Sequence, residues 1–108
     1  KKDAIFAMTS HVIFNSIDKK NTPTHSKKII NIIRNKLNFK NVLISDDISM
    51  KALRYSIKQN TIRSFDAGCN IVLHCNAKLS EMLEVAKNSP KLNSFLMKKT
   101  KEFYKLVS

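Results

Sequence analysis

The sequence predicts an α/β fold in which parallel strands alternate with helices. Three observations predict it. Short apolar runs alternate with longer helix-period segments. The central run, Val42, Leu43 and Ile44, is unbroken, as a parallel strand covered on both faces requires. Polar, chemically able residues follow each run, where parallel βα folds present their ligand sites. The pattern makes three βα units and a helical tail in one segment, residues 1–108, with no linker and no low-complexity block.

Each element has its own justification. Ala4 to Met8 reads as the first strand, and a polar loop carries Asp18, Lys19, Lys20 and Thr22. A helix follows Thr24 or Ser26, because Ile29, Ile30, Ile33 and Leu37 recur at three- and four-residue spacing; it ends near Asn38. Asn41 to Ser45 is the second strand. The stretch after Asp46 and Asp47 holds a second helix, with Ile57, Ile62 and Phe65 as apolar contacts and Gly68 as its C-cap. Asn70 to Cys75 is the third strand. Leu79 to Lys87 forms a helix, and Ser89 with Pro90 reads as an N-cap and first position of the last one. Leu92, Phe95, Leu96, Phe103 and Leu106 would be its buried stripe.

Composition narrows the function classes. The chain is 43% hydrophobic and 26% charged, the balance of an ordinary globular protein. It holds one glycine and two prolines, too few for the glycine-rich loops of Walker or Rossmann nucleotide sites. No apolar run approaches the ~20 residues of a membrane span, and the start lacks the long apolar stretch of a secretory signal; the expected compartment is the cytoplasm. The formal charge of +12 invites a nucleic-acid partner. Yet seventeen of the twenty basic residues are lysine, only Arg34, Arg54 and Arg63 are arginine, and no stacking pair or nucleic-acid-reading motif interrupts them. A small basic α/β domain that binds acidic partners or nucleic acid is therefore the rival reading, with nucleic acid the weaker half of it. Cys69 and Cys75 flank a strand, too far apart along it for a bridge, and with His74 they make a poor zinc set; they read as buried reduced thiols, and no metal or cofactor is expected.

The three strand ends carry Met8 to His11, Ser45 to Asp47, and His74 to Asn76. Asp46 and Asp47 are two of only eight acidic residues. Either could cap the following helix, where a carboxylate accepts backbone N–H groups and meets the positive end of the dipole. Equally, one could cap while the other projects above the sheet as a nucleophile or ligand group. His11 is a loop histidine or a site residue, His74 belongs to packing around a strand, and His25 to a helix start.

The segments "AMTSHVIF", "IRNKLNFKNVLISDDISMKAL" and "RSFDAGCNIVLHCN" together resemble the bacterial β-N-acetylhexosaminidases of glycoside hydrolase family 3. In that family a strand ends in Met-Thr-Ala-His, a helix ends in Leu-Gly-Phe, a strand runs into Ser-Asp-Asp with Met three residues on, and an Ala-Gly-x-Asp turn precedes the last strand. The likeness covers about residues 4 to 76. It implies a TIM (β/α)8 barrel, of which these would be about the last three units. It also implies that Asp46 is the catalytic nucleophile, forming a covalent glycosyl-enzyme with terminal N-acetylglucosamine in muropeptide recycling. His11 would lie near the sugar, and Asp47 and Met50 would support the site.

The departures from that pattern are as informative. The family's acid/base, a His and Asp pair on a Lys-His-Phe-Pro-Gly-His-Gly loop, has no counterpart among these residues. Ser10 stands for Ala, Asn38 and Asn41 for glycines, and Asn70 for Asp. A whole barrel takes about 250 residues, so five units would come from elsewhere, for instance a second polypeptide. The first strand would otherwise be an apolar parallel edge. Isolated, the chain is expected to be inactive, and a degraded gene remnant remains a further reading.

Overall fold

The computed structural model describes residues 4–108. Three strands, β1 (Phe6–Met8), β2 (Val42–Asp47) and β3 (Ile71–Leu73), form one parallel sheet in the order β1-β2-β3. Phe6 pairs with Val42, Ala7 with Leu43 and Met8 with Ile44; on the other side Ile44 pairs with Ile71 and Asp47 with Leu73, across an irregularity. Four helices accompany the sheet: α1 (Lys27–Asn35), α2 (Ile57–Ala67), α3 (Leu79–Asn88) and α4 (Ser94–Val107). A 3-10 turn, Pro23–His25, leads into α1. The body is flat, 37 × 37 × 19 Å.

The alternation of strand side chains divides the sheet into two unlike faces. On one, Leu43 packs with Ile30 of α1, Ala67 at the end of α2, Phe39 and Cys69, with Ala4, Ala7 and Ile33 against them. On the other lie Phe6 and Met8, 37% and 59% exposed, and there Phe103 of α4 meets Phe6 edge to face with ring centres 5.3 Å apart. Asp46 lies past Ile44 in the irregular stretch of β2, where two residues, Ser45 and Asp46, stand opposite one of β3.

Helix starts are set by short polar side chains. Ser26 Oγ accepts from Ile29 N at 3.1 Å, Ser56 Oγ from Gln59 N at 3.2 Å, and Asn93 Oδ1 from Leu96 N at 2.9 Å. Gly68 ends α2 at φ +121°, where a side chain would be strained, and a Cβ there would sit 2.9 Å from Ile30 Cγ2. Asn38 is the other positive-φ residue among those described, at +54°. It stands at one of the two turn positions where the family pattern has glycine. Asn41, at the second, instead donates its amide to Ala4 O.

The lower end of the sheet is tied by Arg34. Its guanidinium donates to Phe39 O at 3.0 Å, Asn41 O at 2.6 Å and Asn70 Oδ1 at 2.7 Å, and Asn70 Oδ1 also accepts Leu43 N. One side chain thus joins α1 to the approaches of β2 and β3, which fixes the level at which the strand tops emerge.

Several expectations need correction. Ser89 and Pro90 do not open α4: the Ser89 hydroxyl donates back to Val85 O, closing α3, and Pro90 follows as a stop. Leu92, Leu106 and Leu37 are 66%, 74% and 65% exposed, so they belong to no buried stripe. For Leu37 the cause is the end of α1 at Asn35 and the turn at Asn38. The face that α2 buries is mostly polar: Asn60, Thr61, Ser64 and Ala67. Asn60 donates to Ile48 O and Tyr55 O, supplying bonds that the loop before α2 cannot make for itself. Cys75 is exposed, not buried, and both cysteines are free.

Candidate active site

Parallel register brings the tops of the three strands to one edge. Thr9 N donates to Ile44 O and Ile48 N to Leu73 O, so the segments after β1, β2 and β3 emerge side by side. The grouping expected from sequence, His11 with Asp46 and Asp47 and with His74 to Asn76, is therefore present at this edge.

Asp47 is committed to structure. Its Oδ1 accepts Ser49 N at 3.0 Å, Ser49 Oγ at 2.7 Å and Cys75 N at 3.0 Å, joining the β2 turn to the end of β3. Burial alone would raise its pKa; the bonds from Ser49 and Cys75, with His74 nearby, outweigh that and hold the carboxyl below its ordinary value. Asp46, half-buried, has a much lighter engagement: its Oδ1 accepts the N–H of Asp47 at 2.8 Å. Neither aspartate caps α2, since Ser56 does. The helix-cap reading of the pair therefore falls, and the two carboxylates separate into a tied one and a free-standing one.

His11 is buried, with 7% of its surface exposed. Its Nε2 lies 2.8 Å from Asp47 O and its Nδ1 3.0 Å from Thr24 Oγ1. A carbonyl only accepts, so Nε2 carries the hydrogen toward Asp47 O, while the Thr24 hydroxyl stands 3.0 Å from both Nδ1 and Ser10 O. Thr9 Oγ1 extends the chain of bonds, 2.8 Å from Thr24 Oγ1. The imidazole thereby locks the end of β1 and the 3-10 turn to the backbone carbonyl beside Asp46. Thr24 is missed by sequence reasoning, because "TPTH" reads only as a loop before a helix; its pairing with Thr9 is set by tertiary contact.

Around β3, His74 Nε2 lies 3.1 Å from Glu81 Oε1, which also accepts Asn76 Nδ2 at 2.7 Å. The bonds from His74 and then Asn76 lower the Glu81 pKa. Met50, whose N–H donates to Asp47 O, is 43% exposed at the turn. Among the described residues, no group of three or more His, Cys, Asp or Glu side chains converges as a metal site would need.

With this geometry in view, the likenesses to known proteins can be placed. The model of the glycosyl hydrolase family 3 N terminal domain matches residues 1–102. The chain belongs to this family. A beta-hexosaminidase of Photobacterium profundum is 31% identical over 93% of this chain and 32% of its own length. One of Nitrosomonas eutropha is 41% identical over 64% of this chain and 20% of its own. The family 3 chain described here thus spans a third or less of these relatives. Among solved structures, the beta-N-acetylhexosaminidase of Beutenbergia cavernae superposes with a TM-score of 0.68 at 25% identity, over 79% of this chain and 27% of that one. The beta-N-acetylglucosaminidase of Thermotoga maritima does so with 0.63 at 26% identity, over 93% and 24%. The mixed α/β arrangement with a small parallel sheet is thus that of family 3 N-terminal domains.

Proposed function

We propose that this segment is the closing part of a family 3 TIM barrel, about its last three βα units, and that it carries the nucleophile of a retaining β-N-acetylhexosaminidase. The observation that carries the reading is the contrast within one dipeptide. Asp47 is consumed by bonds that hold the strand tops, whereas Asp46, beside it at the end of β2, accepts one backbone N–H only. In a TIM barrel the carboxyl ends of the strands are where enzymes hold substrate, and Asp46 stands at such an end.

An Asp46 carboxylate oxygen would attack the anomeric carbon of a terminal β-linked N-acetylglucosamine as the glycosidic C–O bond breaks. The departing oxygen would take a proton from an acid outside these residues, and water, deprotonated by the same group, would then release the sugar with net retention. His11 would act as a positioning residue, since both ring nitrogens are engaged and one holds the carbonyl next to Asp46. The setting would be cytoplasmic recycling of cell-wall muropeptides, the glycan the partner, and a second polypeptide or preceding segment the source of the other five units.

The test is turnover of an aryl N-acetylglucosaminide. Alone, the chain is expected to give negligible rates. With the preceding units of a family 3 domain supplied, activity should appear and be abolished by Asp46→Asn. Turnover by the chain alone, or activity that survives that substitution, would sink the reading.

A further inference from the structure

A second feature lies between the loops that follow β1 and β2, and it does not depend on the role of Asp46. A cavity of ≈ 300 Å³ is lined there by Lys19, Lys20 and Thr22 from one loop and by Arg54 and Tyr55 from the other, with His25 beside them. That is the lower end of the volumes that hold small ligands, room for about ten waters at about 30 Å³ each. Three side chains of fixed positive charge line it and no acidic one does.

Two buried polar atoms at this place have no partner in the protein: the Thr22 hydroxyl, on a residue only 7% exposed, and His25 Nε2. Both atoms are covered by the surrounding side chains, so the groups that line the open cavity are the three cations. The surroundings reinforce the sign of the field. Arg63 of α2 stacks on the Tyr55 ring, 3.8 Å from its centre. Asp18, the acid nearest along the chain, is turned into its own loop, accepting from Lys20 N, Asn21 N and Ser26 Oγ. Those bonds shape the turn that presents the lysines.

We propose that this cavity binds a doubly charged oxyanion, a phosphate ion or the phosphate of a small monoester, held by Lys19, Lys20 and Arg54. Arginine and lysine together bind tetrahedral oxyanions well, the guanidinium in a fork and the ammonium as a point charge. The volume beyond a bare ion suits an attached organic group.

Amide chemical shifts of the full isotope-labelled chain, titrated with inorganic phosphate and separately with glycerol phosphate, test this. Saturable shifts at Asn21, Thr22 and Tyr55 are expected, with half-saturation near ~1 mM. Lys20→Met with Arg54→Met should weaken binding at least about tenfold, whereas Lys98→Met with Lys101→Met, an equal loss of charge on α4, should change it less than about twofold. Tighter binding of glycerol phosphate would identify a monoester as the ligand, and tighter inorganic phosphate the free ion. Non-saturating shifts, equal losses in both double variants, or the same shifts from neutral glycerol would overturn the proposal.

Discussion

Replacing Asp47 by alanine should damage the fold, and neutralising its neighbour should not. Asp47 Oδ1 accepts two backbone N–H groups and the Ser49 hydroxyl, which also lies 2.8 Å from Oδ2. Hydrogen bonds to a charged acceptor contribute about 1.5 to 3 kcal/mol each. Because Cys75 and the turn are within reach of water once the carboxylate is gone, about 3 kcal/mol in total is the reasonable loss for Asp47→Ala. Asp46→Asn keeps an oxygen for the single Asp47 N–H bond and should cost less than about 0.5 kcal/mol. Urea unfolding of the two variants against the parent chain reads this directly: at an m-value of about 1.5 kcal/mol/M, the Asp47→Ala midpoint falls by about 2 M and the Asp46→Asn midpoint hardly moves. Equal losses, or a larger loss for Asp46→Asn, would refute the division of labour between the two carboxylates.

Three further outcomes follow from the packing and charge. Gly68→Ala should lose about 3 kcal/mol, since it combines a left-handed φ with a Cβ 2.9 Å from Ile30 Cγ2; trimming Ile30 to valine in the same chain should recover part of it, as thermal unfolding would register. Asn70→Asp should add about 1 kcal/mol by giving Arg34 a carboxylate partner, seen as a higher melting temperature; a lower one would refute it. Burial lowers the His25 pKa to about 4 from 6.5, so the unfolded chain takes up a proton first: this contribution is intact above pH 6.5 and is lost as the pH falls toward 4. Asp18, held at about 2 chiefly by the Ser26 hydroxyl and the Lys20 N–H, adds a second loss between pH 3.8 and 2. Melting temperature against pH should therefore decline in two steps, and His25→Gln should remove the first.

The strands and the first three helices are legible in the sequence because their signals are local: Val42 to Ile44 is an unbroken apolar run, Ser26 is a cap, and Gly68 a terminator. The start of α4 is not, since Ser89-Pro90 has the same residues as a helix opening and its meaning depends on whether the serine hydroxyl reaches backward or forward. The buried face of α2 is illegible for a different reason: Asn60, Thr61 and Ser64 are buried to answer loop and helix carbonyls, which no apolar periodicity announces. At the strand tops, the gathering of His11, Asp46 and Asp47 follows from parallel register and could be anticipated. Which aspartate is tied, and that Thr24 engages the His11 ring, depend on partners 13 to 28 residues away and emerge only in three dimensions.

The central claim is that Asp46 is the nucleophile, and trapping the covalent intermediate tests it most directly. The chain, supplied with the preceding units of a family 3 domain, is incubated with a fluorinated N-acetylglucosaminyl donor that forms the glycosyl-enzyme quickly and hydrolyses slowly, then digested and sequenced by mass spectrometry. The account predicts one added sugar on the carboxylate of Asp46 and none in Asp46→Asn; a label on Asp47 or any other residue, or labelling undiminished in Asp46→Asn, would contradict it.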